Sequence, residues 1–98
     1  MYVEIVLLKA KSGDAERLRE GLRAGRAVIA SAAGSRGSVF YQGVESPESF
    51  LLHIEWDTLE AHTVGFRQGP LFPQWRSHFQ AFLESPPNMS HYQPIAGP

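Results

Sequence analysis

The sequence predicts an α+β domain of ferredoxin-like βαββαβ order, in which a four-stranded antiparallel sheet carries two helices on one face. Three observations lead to this prediction. Four segments have the short apolar patterns of strands, two have apolar residues at helical spacing, and polar, glycine- or proline-containing links separate them. The chain has 98 residues without an internal repeat or linker, so we expect one domain spanning residues 1–98.

A strand is predicted over residues 1–10. Both of its faces are largely apolar, which favours cover on both sides. One face carries Val3, Ile5 and Leu7, and the other carries Tyr2, Val6 and Leu8.

A long helix follows, with Ser12 or Asp14 as its cap, and it continues to about residue 32, where Gly34 is placed to end it. We expect Gly21 and Gly25 to allow close approach to the sheet. The predicted buried stripe has spacings of three and four: Ala15, Leu18, Leu22, Gly25, Ile29 and Ala32.

Two strands over residues 36–44 and 49–56 are joined by a short polar link that contains Pro47, which suits a hairpin. The second strand alternates clearly. Its predicted core face is Phe50, Leu52, Ile54 and Trp56, and its mixed face is Leu51, His53 and Glu55.

The second helical region begins at Asp57-Thr58-Leu59-Glu60, which matches a capping box with Asp57 as the capping carboxylate. The helix is expected to break near Gly69, to restart at Pro70 and to end at Ser85-Pro86-Pro87. Its apolar stripe is Leu71, Phe72, Trp75, Phe79, Phe82 and Leu83. Residues 88–95 complete the pattern as an edge strand, with Pro94 at its end.

Composition excludes several classes of function. The net charge of −1 provides no field that would attract nucleic acid or anionic membranes, and no apolar tract is long enough to span a bilayer. Arginines 19, 23 and 26 share a helix face but have acidic neighbours, which favours a solvated face over a phosphate site. The chain has no cysteine and no signal-peptide pattern, so we expect a cytoplasmic protein without disulfides.

The predicted fold covers only one face of the sheet. We assign the second face residues from the set Tyr2, Val6, Leu8, Phe40, Val44 and Leu51. So much exposed apolar area is unusual for a monomer, and we therefore expect a homodimer in which two sheets pack face to face.

Several motifs resemble the antibiotic biosynthesis monooxygenase domain family. They are Ile54-Glu55-Trp56, Leu59-Glu60-Ala61-His62, Gly65-Phe66-Arg67, Gly69-Pro70-Leu71-Phe72, Trp75, Pro86-Pro87 and His91-Tyr92-Gln93-Pro94. The resemblance covers nearly the whole chain and implies a dimeric α+β barrel. It also implies cofactor-independent oxidation of a small quinol-like or anthrone-like aromatic substrate with O2, without a metal or flavin.

Such chemistry needs a base, an apolar pocket and a donor for the developing oxyanion. Candidate bases are His62 and His91, of which we favour His62. Candidate substrate-binding residues are Trp56, Phe66, Arg67, Phe72, Trp75, Tyr41 and Tyr92, with Phe79 as a further wall residue and Arg67 or either tyrosine as the donor. Each aromatic residue is also a normal core residue, and either histidine could be structural.

Four alternatives remain open. The protein could be a dimer that binds an aromatic molecule without catalysis, or a family member that retains only the fold. Haem degradation is disfavoured because the first strand lacks the asparagine that haem-degrading relatives carry there. A metal site is weaker still, because His53-x-Glu55 and Glu60-x-His62 are only pairs.

Overall fold

The structure, a computed structural model, describes residues 1–96 and confirms the predicted α+β fold. The strands β1 to β4 form one antiparallel sheet in the order β2-β3-β1-β4. Their bounds are β1 Tyr2–Lys9, β2 Ser35–Gln42, β3 Ser49–Trp56 and β4 Asn88–Tyr92, and the α-helices are α1 Ala15–Ala30 and α2 Leu71–Ser77. Residues 97 and 98, which the single-domain prediction includes, lie outside the described residues.

The helix α1 buries the predicted stripe against the sheet. Leu18, Leu22 and Ile29 are buried in the core, and Ala15 at the start of the helix is half-buried. Gly34 has a φ of 84°, a left-handed conformation that favours glycine, and it separates α1 from β2 as expected. The apolar spacing alone was sufficient to predict the buried side of α1, because a helix with a single apolar stripe can bury that stripe against a sheet in only one orientation.

The two glycines of α1 have a different neighbour from the one expected. A Cβ at Gly21 would overlap the backbone carbonyl oxygen of His78, and a Cβ at Gly25 would lie 3.1 Å from the His78 Cβ. The close approach is therefore between α1 and the chain after α2, and the prediction of close approach to the sheet was wrong. The glycines lie on the side of α1 that meets this second helical layer.

The second helical region begins with Thr58 as its cap, because the Thr58 hydroxyl accepts a hydrogen bond from the Ala61 amide at 3.1 Å. The prediction of a capping box with Asp57 as the capping carboxylate was wrong, because this carboxylate instead forms an ion pair with Arg36 at 3.1 Å. The following turn is a π-helical segment, Ala61–Phe66. Its hydrogen bond from the Arg67 amide to the His62 carbonyl, at 2.9 Å, spans five residues.

The chain breaks near Gly69 and restarts at Pro70 as predicted, but α2 is shorter than expected. It ends at Ser77, and the remaining apolar stripe continues through a 3₁₀ turn at Gln80–Phe82. Trp75 and Phe79 are buried, and their rings meet edge to face with centroids 4.8 Å apart. The apolar spacing thus predicted which residues are buried without detecting the change in helix type.

The sheet has a helix-covered face and an open face. Val6 and Leu8 in β1, together with Phe40 in β2, lie on the covered face, so their assignment to the open face was wrong. Tyr2 shares the alternation of Val6 and Leu8, and Val44 lies beyond β2. The open face carries Val3, Ile5, Leu7, Val39, Tyr41, Leu51 and Tyr92, several of them about half exposed.

The error in β1 has a simple cause. Both alternating sets of its side chains are apolar, so the pattern does not say which set meets the helices. In β3 the mixed set marked the open face correctly. Within residues 1–96, no helix combines the length and apolar character needed to cross a bilayer.

Candidate functional site

A cavity of about 320 Å³ lies between the helix-covered face of the sheet and α2. Its size falls in the lower part of the range typical of small-molecule sites, roughly 300–1,000 Å³. Most of its wall is apolar, and the polar groups are two arginines, a glutamine, one histidine and one glutamate. The lining residues are Glu4, Val6, Leu8, Leu52, His62, Arg67, Phe72, Trp75, Arg76, Phe79, Gln80, Leu83, Pro86, Pro87 and Met89.

Glu4 is the site residue that sequence reasoning missed. It alternates with Val6 and Leu8 along β1, so its side chain points into the core, where it is only 5% exposed. The sequence does contain an indication of this role. A glutamate at a position that alternates with apolar core residues of a strand is rarely buried unless other polar groups bind its carboxylate. Its cross-strand neighbour in β4 is His91.

The Glu4 carboxyl group belongs to a continuous chain of polar contacts that includes three other side chains, each buried or half-buried. The Trp56 indole Nε1–H donates to Glu4 Oε1 at 3.0 Å. The other carboxyl oxygen, Oε2, lies 3.3 Å from His62 Nε2, and His62 Nδ1 lies 2.7 Å from His91 Nε2. The chain runs from the core at Trp56 to the half-buried His91.

Burial shifts the acidities of both central groups. It raises the pKa of Glu4 to about 7, although the Trp56 hydrogen bond and the positive charge of Arg67 oppose this shift. It lowers the pKa of His62 to about 4, with smaller contributions from His91 and Arg67. At neutral pH, His62 is therefore neutral, while Glu4 titrates near physiological pH.

The polar chain is compatible with a neutral His62 beside an ionised Glu4. A neutral imidazole carries one proton, and with that proton on Nε2 the N–H lies beside Glu4 Oε2, 3.3 Å away. His62 Nδ1 is then the acceptor in the 2.7 Å contact with His91 Nε2. In this tautomer the only ring lone pair of His62 is taken up by His91, so none is free for a ligand in the cavity.

The predicted aromatic residues fall into two groups. Phe72 and Trp75 line the cavity, together with Arg67 and the wall residue Phe79. Trp56 and Phe66 are buried behind it, where both pack against His62, with the Trp56 and His62 ring centroids 5.2 Å apart. These two residues support the polar chain and do not line the cavity.

Tyr41 and Tyr92, which were predicted to bind substrate, lie away from the cavity. Tyr41 is 54% exposed and Tyr92 is 56% exposed, and both project from the open face of the sheet. Neither lines the cavity. His91 also does not line it, and meets the site only through His62.

Two arginines supply positive charge to the cavity. The guanidinium groups of Arg67 and Arg76 lie 5.5 and 5.6 Å from the centroid of the Phe72 ring. Among residues 1–96, neither arginine has an acidic side chain within ion-pair distance. The site thus combines a cationic group for an anionic oxygen, a flat aromatic wall and a buried carboxyl group. In the same part of the chain, no cluster of three or more acidic or histidine side chains is arranged to hold a metal ion.

Comparison with known proteins agrees with this architecture. The sequence profile of the family described as antibiotic biosynthesis monooxygenase matches residues 1–85. YczJ, an uncharacterized protein of Bacillus subtilis (strain 168), is 27% identical over 95 residues, which cover 97% of this chain and 100% of YczJ.

Solved structures have the same fold. One is a protein of Bordetella bronchiseptica that is described as an antibiotic biosynthesis monooxygenase. It superposes with a TM-score of 0.91 at 26% identity, covering 97% of each chain. A single-residue variant of SnoaB, a cofactor-independent oxygenase from Streptomyces nogalater, has a TM-score of 0.81 at 10% identity, covering 98% of this chain and 94% of SnoaB. Because the family profile matches most of this chain, the chain belongs to the antibiotic biosynthesis monooxygenase family.

Proposed function

We propose that this protein is a monooxygenase that acts without a prosthetic group on a small, flat aromatic substrate with an acidic proton, of the quinol or anthrone class. The observation that carries the proposal is the buried Glu4–His62 pair, which lies on the wall of an aromatic-lined cavity. A buried carboxyl group with a pKa of about 7 is a suitable proton acceptor near neutral pH.

The substrate supplies the electrons in this scheme. Removal of a proton leaves an electron-rich anion, which passes an electron to O2 and then combines with the reduced oxygen to form a peroxide. With an anthrone, loss of water from the peroxide leaves a carbonyl group, so a methylene group and O2 become a carbonyl group and water. One oxygen atom then enters the product and the other leaves as water. A quinol without a methylene group instead gives two electrons and two protons to O2, and the products are the quinone and hydrogen peroxide.

The cavity residues have distinct roles in this reaction. Phe72 and Trp75 would hold the aromatic plane and, with the apolar wall, exclude water from the radical pair and the peroxide. Arg67 lies at the same cavity and its positive charge already acts on both Glu4 and His62. The same charge would stabilise an oxyanion as it develops on the substrate.

Oxygen uptake tests this function directly. With chelator present, the protein is expected to consume O2 saturably with an anthrone, a naphthohydroquinone or menadiol, above the autoxidation rate of each compound. The His62→Ala variant should lose at least about tenfold in rate, because Glu4 loses its partner. The matched control is His78→Ala, a histidine that contacts α1 and does not line the cavity.

Each result has a defined meaning. If the folded wild-type protein gives no uptake with any of these compounds but binds them, the protein is a binding module and not an oxygenase. Equal loss in the His62→Ala and His78→Ala variants would show that the effect is not specific to the cavity. A haem or flavin absorption band that persists through gel filtration would contradict the proposed independence from a prosthetic group.

We also propose that the protein is a homodimer in which the open faces of two sheets pack together. The support is the open face itself, where apolar side chains on β1 and β2, the strands on either side of β3, remain about half exposed. Leu7 is 49% exposed, Val39 is 46% exposed and Tyr41 is 54% exposed. A contiguous apolar surface of this kind is typical of an interface.

A single charge on this face should therefore weaken the dimer. Val39 lies beside His53 in the register of β2 and β3, and Val39→Lys would place an ammonium group in the dry interface. Sedimentation equilibrium should show a dimer for the wild type and a shift toward monomer for Val39→Lys. Val44→Lys is the matched control, because Val44 lies beyond β2 and is already 87% exposed. A monomeric wild type at micromolar concentration would contradict the proposal.

A further inference from the structure

We propose that Glu4 is the catalytic base, and that His62 and His91 are positioning residues that orient its carboxylate. This inference rests on the proposed function for its chemistry, since it names the group that receives the substrate proton. It differs from the sequence-based expectation, which gave that role to His62.

Glu4 is better placed than His62 to receive a substrate proton. Both residues line the cavity, but His62 Nδ1 is hydrogen-bonded to His91, and His62 Nε2 faces the Glu4 carboxyl group at 3.3 Å. Each carboxylate oxygen has two acceptor positions. Trp56 uses one position on Oε1, and His62 Nε2 lies 3.3 Å from Oε2, so each oxygen keeps at least one position for a substrate proton.

The donors of the polar chain can all face an ionised Glu4. Trp56 donates to one carboxyl oxygen, and the other lies 3.3 Å from His62 Nε2. With the His62 proton on Nε2, His62 Nδ1 accepts from His91, and every proton of the chain then faces the carboxylate. Such a contact orients an imidazole much as an orienting residue does for the histidine of a hydrolase. The half-buried His91 is the end of the chain nearest to solvent.

Within the part of the chain that the structure describes, the groups that face Glu4 include no other acid. Across β3 its neighbour is the apolar Ile54, and across β4 it is His91. The second helical layer contributes His62 and the cation Arg67. No second carboxyl group is among the residues that line the cavity, which makes Glu4 the only acidic side chain there among residues 1–96.

The proton balance is complete with these groups. With an anthrone, Glu4 takes one proton from the methylene C–H bond, and the bonding electron pair stays on the substrate. After the anion has combined with O2, protonated Glu4 returns this proton to the terminal peroxide oxygen and is ionised again. Loss of the second C–H proton then forms the carbonyl group and breaks the O–O bond, and the departing hydroxide takes up that proton to leave as water. No oxidant other than O2 is needed.

The test isolates proton removal from oxygen chemistry. Under nitrogen in D2O, the protein should accelerate the exchange of deuterium into the methylene group of anthrone, followed by proton NMR. The rate should rise with pH to a plateau, with a midpoint near the Glu4 pKa of about 7. Glu4→Gln keeps the acceptor for Trp56 and removes the base, so it should lose at least about 100-fold.

A second variant keeps the base and moves its pKa. Trp56→Phe removes the hydrogen bond that lowers the pKa of Glu4, so the midpoint of the exchange profile should move to higher pH by about half a unit or more. A purely structural role of this side chain would lower the rate without moving the midpoint. Circular dichroism and urea unfolding establish that each variant is folded.

The outcomes separate this inference from the proposed function. Exchange that depends on Glu4, without O2 uptake in air, would support the base and contradict the oxygenase. No exchange by the wild-type protein, exchange by a folded Glu4→Gln variant within about threefold of wild type, or an unmoved midpoint in Trp56→Phe would overturn the assignment of Glu4.

Discussion

The Trp56→Ala variant is expected to lose about 3–5 kcal/mol of the free energy of unfolding, the cost typical of deleting a buried tryptophan. Trp56 is fully buried at the end of β3 and is the largest of the fully buried side chains. Its ring packs against His62 and Phe66, with centroid distances of 5.2 and 5.5 Å. Small domains have only about 5–15 kcal/mol of stability, so this single change should bring the protein close to unfolding.

Comparison with Trp56→Phe separates packing from hydrogen bonding. Phenylalanine keeps most of the ring contacts but cannot donate to Glu4, which leaves a buried carboxyl oxygen without that partner and should cost about 1–3 kcal/mol. Urea unfolding at neutral pH measures both variants. If Trp56→Ala cost no more than Trp56→Phe, packing of the indole would not be the main source of its stabilising effect.

The pH dependence of stability is the second large effect, because Glu4 and His62 act in opposite directions. The pKa of Glu4 is raised from its ordinary value of 4.5 to about 7, so the folded state binds more protons than the unfolded chain in that window. The free energy of unfolding contributed by Glu4 therefore falls as the pH rises from 4.5 to about 7.

His62 has the reverse effect. Its pKa is lowered from 6.5 to about 4, so the unfolded chain binds more protons in that window, and stability is lost as the pH falls from 6.5 to about 4. At about 1.4 kcal/mol per pKa unit, each residue accounts for about 3 kcal/mol. The two contributions nearly cancel between pH 4.5 and 6.5 in the wild-type protein.

Variants of either residue should expose the other slope. In its own profile, Glu4→Gln should lose up to about 3 kcal/mol as the pH falls through the His62 window, because Glu4 no longer offsets the His62 slope. His62→Gln, which keeps an N–H group near Glu4, should instead lose stability as the pH rises through the Glu4 window. Urea unfolding at a series of pH values measures both slopes, and the wild-type profile, in which they nearly cancel, is the control. Parallel profiles for all three proteins would show that neither pKa is shifted as described.

Much of the fold was predictable because local patterns of apolar residues specify the type and the buried side of its strands and helices. The alternation of Phe50, Leu52, Ile54 and Trp56 placed β3 and its core face, and the stripe of α1 placed that helix. The resemblance in the second helical region indicated the family, which the match over residues 1–85 confirms. The capping residue was less predictable, because Thr58 and the adjacent Asp57 are both suitable caps for the same helix. The helix type was also less predictable, because a π-helical turn has no clear sequence pattern.

The candidate site was predictable only in part. His62, Arg67, Phe72 and Trp75 were named from the sequence, and the structure brings all four to the cavity. Tyr41 and Tyr92 were misplaced because a tyrosine near an edge of a sheet can point to either face. Glu4 was missed because its partners are 52, 58 and 87 positions away along the chain.

Residues that are close together in the chain were enough to predict the order of strands and helices and the core stripe of α1, and individual motifs indicated the family. The covered face of β1 became evident only from the folded chain, which also brings Trp56, Glu4, His62 and His91 into one chain of contacts. Local patterns could not predict these features, because sheet pairing joins distant segments and the acidity of a buried group depends on everything packed around it.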